Sequence, residues 1–213
     1  MDSIKRKNIN TVVFDCDGVM FMTGELNRHY YNSLLSRFGK PDMSDEQFEF
    51  VKMHTGDDSV RYLFGNDADM DEVNKERKRV PYSSFVSYME MTEGLEDLLV
   101  FLKSKSFYLG IATNRTNTMD LVLDTFNLKE YFDIVVTAWD VKNAKPAPDQ
   151  LNEIKKRLGV ADENIIYIGD SKVDEEAAME SNVKFISFDN DSLEADYHVK
   201  SMKELRKIIE GCL

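Results

Sequence analysis

Short apolar runs alternate with helical periodicities over most of this chain. Residues 11–14, 107–112, 134–136, 165–168 and 183–188 are runs rich in β-branched and aromatic side chains, each bounded by polar or turn-forming residues. Such runs mark strands buried on both faces of a parallel sheet. The segments between them carry apolar stripes at helical spacing. Leu98, Leu99 and Leu102 give residues 93–104 one apolar face, and Leu151, Ile154 and Leu158 do the same for a helix that stops at Gly159. Ser201 and Glu204 open a last helix with a capping-box pattern. Strands and helices in alternation predict an α/β fold with a parallel, Rossmann-like sheet.

Residues 24–91 interrupt this alternation. Leu26, Tyr30, Leu34 and Phe38 fall on one helical face that ends at Gly39 and Pro41, and Ser44 with Gln47 can cap a second helix. No convincing strand follows as far as Tyr88. The expected organisation is a core of residues 1–23 and 92–213 with a helical domain inserted at 24–91. The run KERKR at 75–79 reads as a solvated helix face.

Composition narrows the function. The 213 residues carry a formal charge of −12, which disfavours a nucleic-acid partner. The first ten residues lack the apolar stretch of a signal peptide, and no apolar run reaches the roughly 20 residues that cross a bilayer. The two cysteines, Cys16 and Cys212, have no metal-like spacing. The expectation is a cytoplasmic protein with reduced thiols and no membrane partner. Cys16 reads as a buried small residue.

The candidate chemistry sits just past the end of each strand, because ligands of open parallel sheets bind beyond the carboxyl ends. The first strand runs into Asp15 and Asp17, with Gly18 allowing a turn. The second delivers Thr113 and Asn114. NAKPAPD brings Lys145, and the fourth strand delivers Gly169, Asp170, Ser171 and Asp174. Four carboxylates crowded together would raise one another's pKa. A hard cation resolves the repulsion, and Mg²⁺ suits carboxylate, carbonyl, water and phosphate oxygens. With Lys145 and backbone N–H groups it would form a local anion site on an acidic protein.

These segments resemble the four motifs of the haloacid dehalogenase-like hydrolase superfamily, in order: Asp15-Cys16-Asp17-Gly18-Val19, Thr113, Lys145 within KPAP, and GDSKVD from Gly169 to Asp174. The resemblance implies that Asp15 is the nucleophile, forming an aspartyl-phosphate. It makes Asp17 the proton donor and then acceptor, with its backbone carbonyl free to meet the metal. Thr113 and the backbone N–H of Asn114 would bind phosphoryl oxygens, and Lys145 would offset charge. Asp15, Asp17, Asp170 and Asp174 would make up the metal site, Asp170 as a direct ligand and Asp174 through water or by orienting the ligands.

The acid at Asp17 favours phosphate esters, since dehalogenating and phosphonate-cleaving relatives lack it. The implied function is a Mg²⁺-dependent phosphatase of a small phosphorylated metabolite, of the phosphoglycolate phosphatase and β-phosphoglucomutase-like branch. A β-phosphoglucomutase-type phosphotransferase shares the same motifs. Its pattern calls for an arginine where Gly56 stands and a histidine where Asn27 stands, so hydrolysis leads. A pyrophosphatase or nucleotidase, and a non-catalytic binding protein on the same fold, complete the alternatives. The 24–91 insertion resembles the family's α-helical cap domain, and in it Lys52, His54, Thr55 and Arg61 are the cap candidates for substrate contact, with Arg28 and His29 behind them. Arg115 is the core candidate.

Overall fold

The structure is a computed structural model and describes residues 9–53, 56–65 and 68–212. In chain order it contains β1 (Thr11–Phe14), β2 (Phe21–Met22), α1 (Gly24–Arg37), α2 (Asp45–Met53), α3 (Gly56–Phe64) and α4 (Met70–Arg77). There follow β3 (Glu90–Met91), α5 (Leu95–Ser104), β4 (Tyr108–Thr113), α6 (Met119–Thr125), β5 (Ile134–Thr137) and α7 (Asp149–Leu158). The chain closes with β6 (Ile165–Gly169), α8 (Lys172–Glu180), β7 (Lys184–Phe188), β8 (Tyr197–Val199) and α9 (Met202–Cys212). Two compact units result: Met1–Phe21 with Met91–Leu213, and Met22–Glu90.

The larger unit is built on a six-stranded sheet in the order β5-β4-β1-β6-β7-β8, every pair parallel. Parallel strands need helical crossovers, and the helices bury both faces of the sheet. Val13, Ala112, Val136 and Tyr167 meet Leu151 and Ile154 of α7 and Ala177 and Ala178 of α8 in one core. Helix α5 buries Leu95, Leu98, Leu99 and Leu102. β2 and β3 pair as a separate two-stranded sheet. Among the described residues no helix is long and apolar enough to cross a membrane.

The smaller unit is helical. Tyr30, Leu34, Leu35, Val51, Val60, Leu63 and Val73 close its core. Ser44 and Gln47 make the capping box of α2: the Ser44 hydroxyl accepts from the Gln47 N–H at 3.2 Å, and the Gln47 side chain accepts from the Ser44 N–H at 2.9 Å. Within the KERKR run, Glu76 accepts from Arg79 and from Arg37 of α1, while Lys75 and Lys78 are exposed.

Several element ends differ from the periodicity-based expectation for local hydrogen-bond reasons. Phe107 precedes β4 because its N–H closes the end of α5 on the Leu102 carbonyl at 3.1 Å. Val183 likewise closes α8 on Ala178 at 3.2 Å, so β7 starts one residue later. Helix α5 starts at Leu95 because Gly94, at φ +80°, turns the chain before it. At α9 the Ser201 hydroxyl accepts the Glu204 N–H, but the Glu204 carboxylate accepts from the Lys200 N–H at 2.8 Å, so the expected reciprocal box is replaced.

The facing of α7 has a measurable consequence. Ile154→Ala should cost about 2–5 kcal/mol in urea unfolding, whereas Lys156→Ala on the solvent side should stay within about 0.5 kcal/mol of wild type.

Candidate active site

The strand order places β1 between β4 and β6, and the chain leaves β1 in one direction and β6 in the other. The carboxyl ends of these strands flank the switch point where open α/β sheets bind ligands. Asp15 follows β1, its N–H donating to the Ile168 carbonyl at 2.8 Å. Thr113 ends β4, while Asp170 and Asp174 follow β6.

Lys145 is the hub. Its side chain is 2% exposed, and its Nζ lies 2.7 Å from both Asp15 Oδ1 and Asp174 Oδ1. It also donates to the Ala112 carbonyl at 2.9 Å and the Tyr167 hydroxyl at 2.8 Å. Tyr167 passes the contact on, donating to Asp174 Oδ1 at 2.6 Å. The other Asp174 oxygen accepts from the Ser171 hydroxyl and the backbone N–H groups of Ser171 and Asp170, which cap α8. Gly169 is needed beside it, because a Cβ there would fall 2.3 Å from the Asp174 Cβ.

The loop carrying Lys145 is clamped from two sides. Asn114 donates from Nδ2 to the Lys145 carbonyl at 2.9 Å and accepts from the Lys145 N–H at 3.1 Å. Buried Gln150 accepts from that same N–H at 3.1 Å and donates to the Thr113 carbonyl at 2.6 Å. Asn190 donates to the Asp170 carbonyl at 2.8 Å and anchors the end of β6. Sequence reasoning misses Tyr167, Gln150 and Asn190. The first two are the polar members of otherwise apolar faces, and that is their only signal.

Asp17 stands apart from the hub. Its carboxylate, 40% exposed, meets the Arg115 guanidinium, which is 6% exposed, at 2.7 Å. Cys16 between the two acids is buried, and burial raises its thiol pKa well above the ordinary value.

Charge governs the titration. Burial pushes the Asp15 carboxyl up to about 8, with Lys145 opposing and Asp174 and Asp17 reinforcing. Burial and then Asp174 push Asp170 up to about 7. Burial works against the ionised form of Asp174 as well, but Lys145, Ser171 and Tyr167 outweigh it and hold its pKa below the ordinary range. Burial would lower Lys145, yet Asp15 and Asp174 hold it above the usual lysine value.

Asp15, Asp170 and Asp174 each offer an oxygen, all within 4.8 Å of one another, a group that could hold a metal ion. The donors fit one: all are hard oxygens, and three carboxyl groups share a single lysine. Gly18 keeps the approach to Asp170 open, since a Cβ there would sit 2.0 Å from Asp170 Oδ2.

The cap candidates belong to the helical unit or lie outside the described residues. Arg61 is exposed on α3 in the helical unit, and Lys52 belongs to α2 of the same unit. His54 and Thr55 lie outside the described residues.

Two outcomes are expected from these charges. Lys145→Met removes the cation that holds buried Asp174 ionised and should cost about 3–5 kcal/mol in urea unfolding in EDTA. In metal-free protein, Asp15 and Asp170 hold protons in the fold up to about 8 and about 7 that the unfolded chain releases near 3.8. Native protein therefore binds more protons in that window, and these groups' contribution to stability falls as pH rises through it. Urea unfolding in EDTA between pH 5 and pH 8 should show that decline, and Asp15→Asn should make it shallower.

Comparison with known proteins agrees with this geometry. A solved HAD-superfamily hydrolase of subfamily IA from Geobacter sulfurreducens superposes with a TM-score of 0.88 at 32% identity, covering all of both chains. The phosphorylated carbohydrates phosphatase of Thermotoga maritima is 28% identical over 84% of each chain. The pyrophosphatase PpaX of Bacillus cereus is 26% identical over 78% of this chain and 76% of its own. Residues 12–188 match the haloacid dehalogenase-like hydrolase family, and the chain belongs to it.

Proposed function

We propose that the protein is a Mg²⁺-dependent phosphatase that hydrolyses a small phosphate monoester through an aspartyl-phosphate on Asp15. The observation that carries this reading is the buried cluster in which Lys145 lies 2.7 Å from Asp15 while Asp15, Asp170 and Asp174 converge their oxygens. Asp15, Asp170 and Asp174 would hold Mg²⁺, which when bound favours ionised carboxylates and offsets charge on phosphate oxygens.

The chain's own groups then perform the transfer. A carboxylate oxygen of Asp15 forms a bond to phosphorus as the ester P–O bond breaks. Asp17 gives its proton to the departing oxygen, and the alcohol leaves. Water next attacks the same phosphorus, Asp17 takes a proton from it, and the bond to Asp15 breaks to release phosphate. The Thr113 hydroxyl accepts the Arg115 N–H at 3.1 Å, so its own proton remains available for a phosphoryl oxygen. Lys145 balances the charge on Asp15.

The names of two relatives support a phosphorylated small molecule as substrate: one is named for carbohydrate phosphates and one for pyrophosphate. The second name makes pyrophosphate the alternative substrate. In this reading residues 24–91 act as the substrate-selecting cap, with Lys52, His54, Thr55 and Arg61 as its candidate contacts.

Phosphate release from a panel of hexose phosphates, phosphoglycolate, nucleotides, p-nitrophenyl phosphate and pyrophosphate should occur with Mg²⁺ and cease in EDTA. Asp15→Asn should fold and lose at least ~10³-fold in kcat. Full activity of that variant would overturn the nucleophile, and undiminished release in EDTA would overturn the metal requirement.

A further inference from the structure

Arg115 is the one buried guanidinium beside the site among the described residues, and its side chain is fixed on Asp17 and Thr118. Its Nε donates to both Asp17 oxygens, at 3.1 and 2.9 Å, and its Nη2 to Oδ1 at 2.7 Å. Its Nη1 donates to the Thr118 hydroxyl at 3.1 Å, at the start of α6. The backbone is held as well. Its N–H donates to the Thr113 hydroxyl at 3.1 Å, and its carbonyl accepts the Ala138 N–H at 3.0 Å beyond β5. A rigid fork fixed at backbone and side chain thus meets the more exposed Asp17 carboxylate, a geometry that sets orientation as well as distance.

We propose that Arg115 is a positioning residue for Asp17, aiming the proton-transfer carboxylate at the leaving oxygen. The inference rests on the phosphatase reading above. It differs from a phosphate-binding role in that Nε and Nη2 of the guanidinium face the Asp17 carboxylate. Proton donation matters when the leaving group is a poor one, and p-nitrophenolate departs without needing that proton. The two roles therefore separate by leaving group.

The test compares Asp17→Asn, Arg115→Met, Arg115→Lys and the double variant Asp17→Asn/Arg115→Met, all with Mg²⁺. The substrates are the best alkyl ester of the panel and p-nitrophenyl phosphate, with thermal unfolding checking the fold of each variant. Arg115→Met should lower kcat/KM for the alkyl ester about 10²-fold and that for p-nitrophenyl phosphate much less. Arg115→Lys, which keeps the charge but lacks the fork, should recover part of the loss. Adding Arg115→Met to Asp17→Asn should cost little more, as expected for residues acting as one unit.

A raised KM for both esters, with losses that add to those of Asp17→Asn, would overturn the inference and make Arg115 a phosphate contact. Equal losses of Asp17→Asn on both esters would instead overturn the role of Asp17. An inactive wild-type protein would overturn the phosphatase reading itself.

Discussion

A buried ammonium holds the carboxyl-terminal end of this sheet together. Lys145 reaches 130 residues back along the chain to Asp15 and 29 forward to Asp174, and both contacts are 2.7 Å. Either carboxylate alone at that depth would be neutralised or expelled. The lysine makes their proximity tolerable, and much of the surrounding polar structure serves to hold it. Asn114 and Gln150 grip its backbone, and the Tyr167 hydroxyl and the Ala112 carbonyl share its third proton.

The same constraint reconciles an acidic protein with anionic chemistry. The chain carries a charge of −12, yet the site is organised as separate balanced groups. Asp17 is matched by Arg115, while Asp15 and Asp174 share Lys145. What remains is a small surplus of carboxylate oxygen that suits a divalent cation. Attraction for a phosphate would then be local, set over a few ångströms where screening is weak, and the distant surface charge matters little.

The fold is largely legible because burial on both sides forces continuous apolar strands, and a helical crossover must separate parallel neighbours. Five of the six strands of the main sheet appear as such runs; the sixth, Tyr197–Val199, is short and exposed at two of its three positions, so its pattern is weak. The differences at 107, 183 and 93–94 arise where a helix-closing hydrogen bond or a left-handed glycine, and not hydrophobicity, decides where an element ends. Asp15, Thr113, Lys145, Asp170 and Asp174 are legible because their spacing repeats a known set of motifs at strand ends.

The sequence by itself determined the alternating architecture and the residue types gathered at the strand termini, since both arise from local periodicity and chain order. Partnership was decided only by the tertiary structure. Nothing within the chain order says that Arg115 pairs with Asp17, that Tyr167 bridges Lys145 and Asp174, or that Gln150 ties Thr113 to Lys145. These contacts join residues 5 to 98 positions apart. Hydrogen bonds depend on ångström-scale approach in a dry interior, and that approach exists only once the sheet has brought its strand ends side by side.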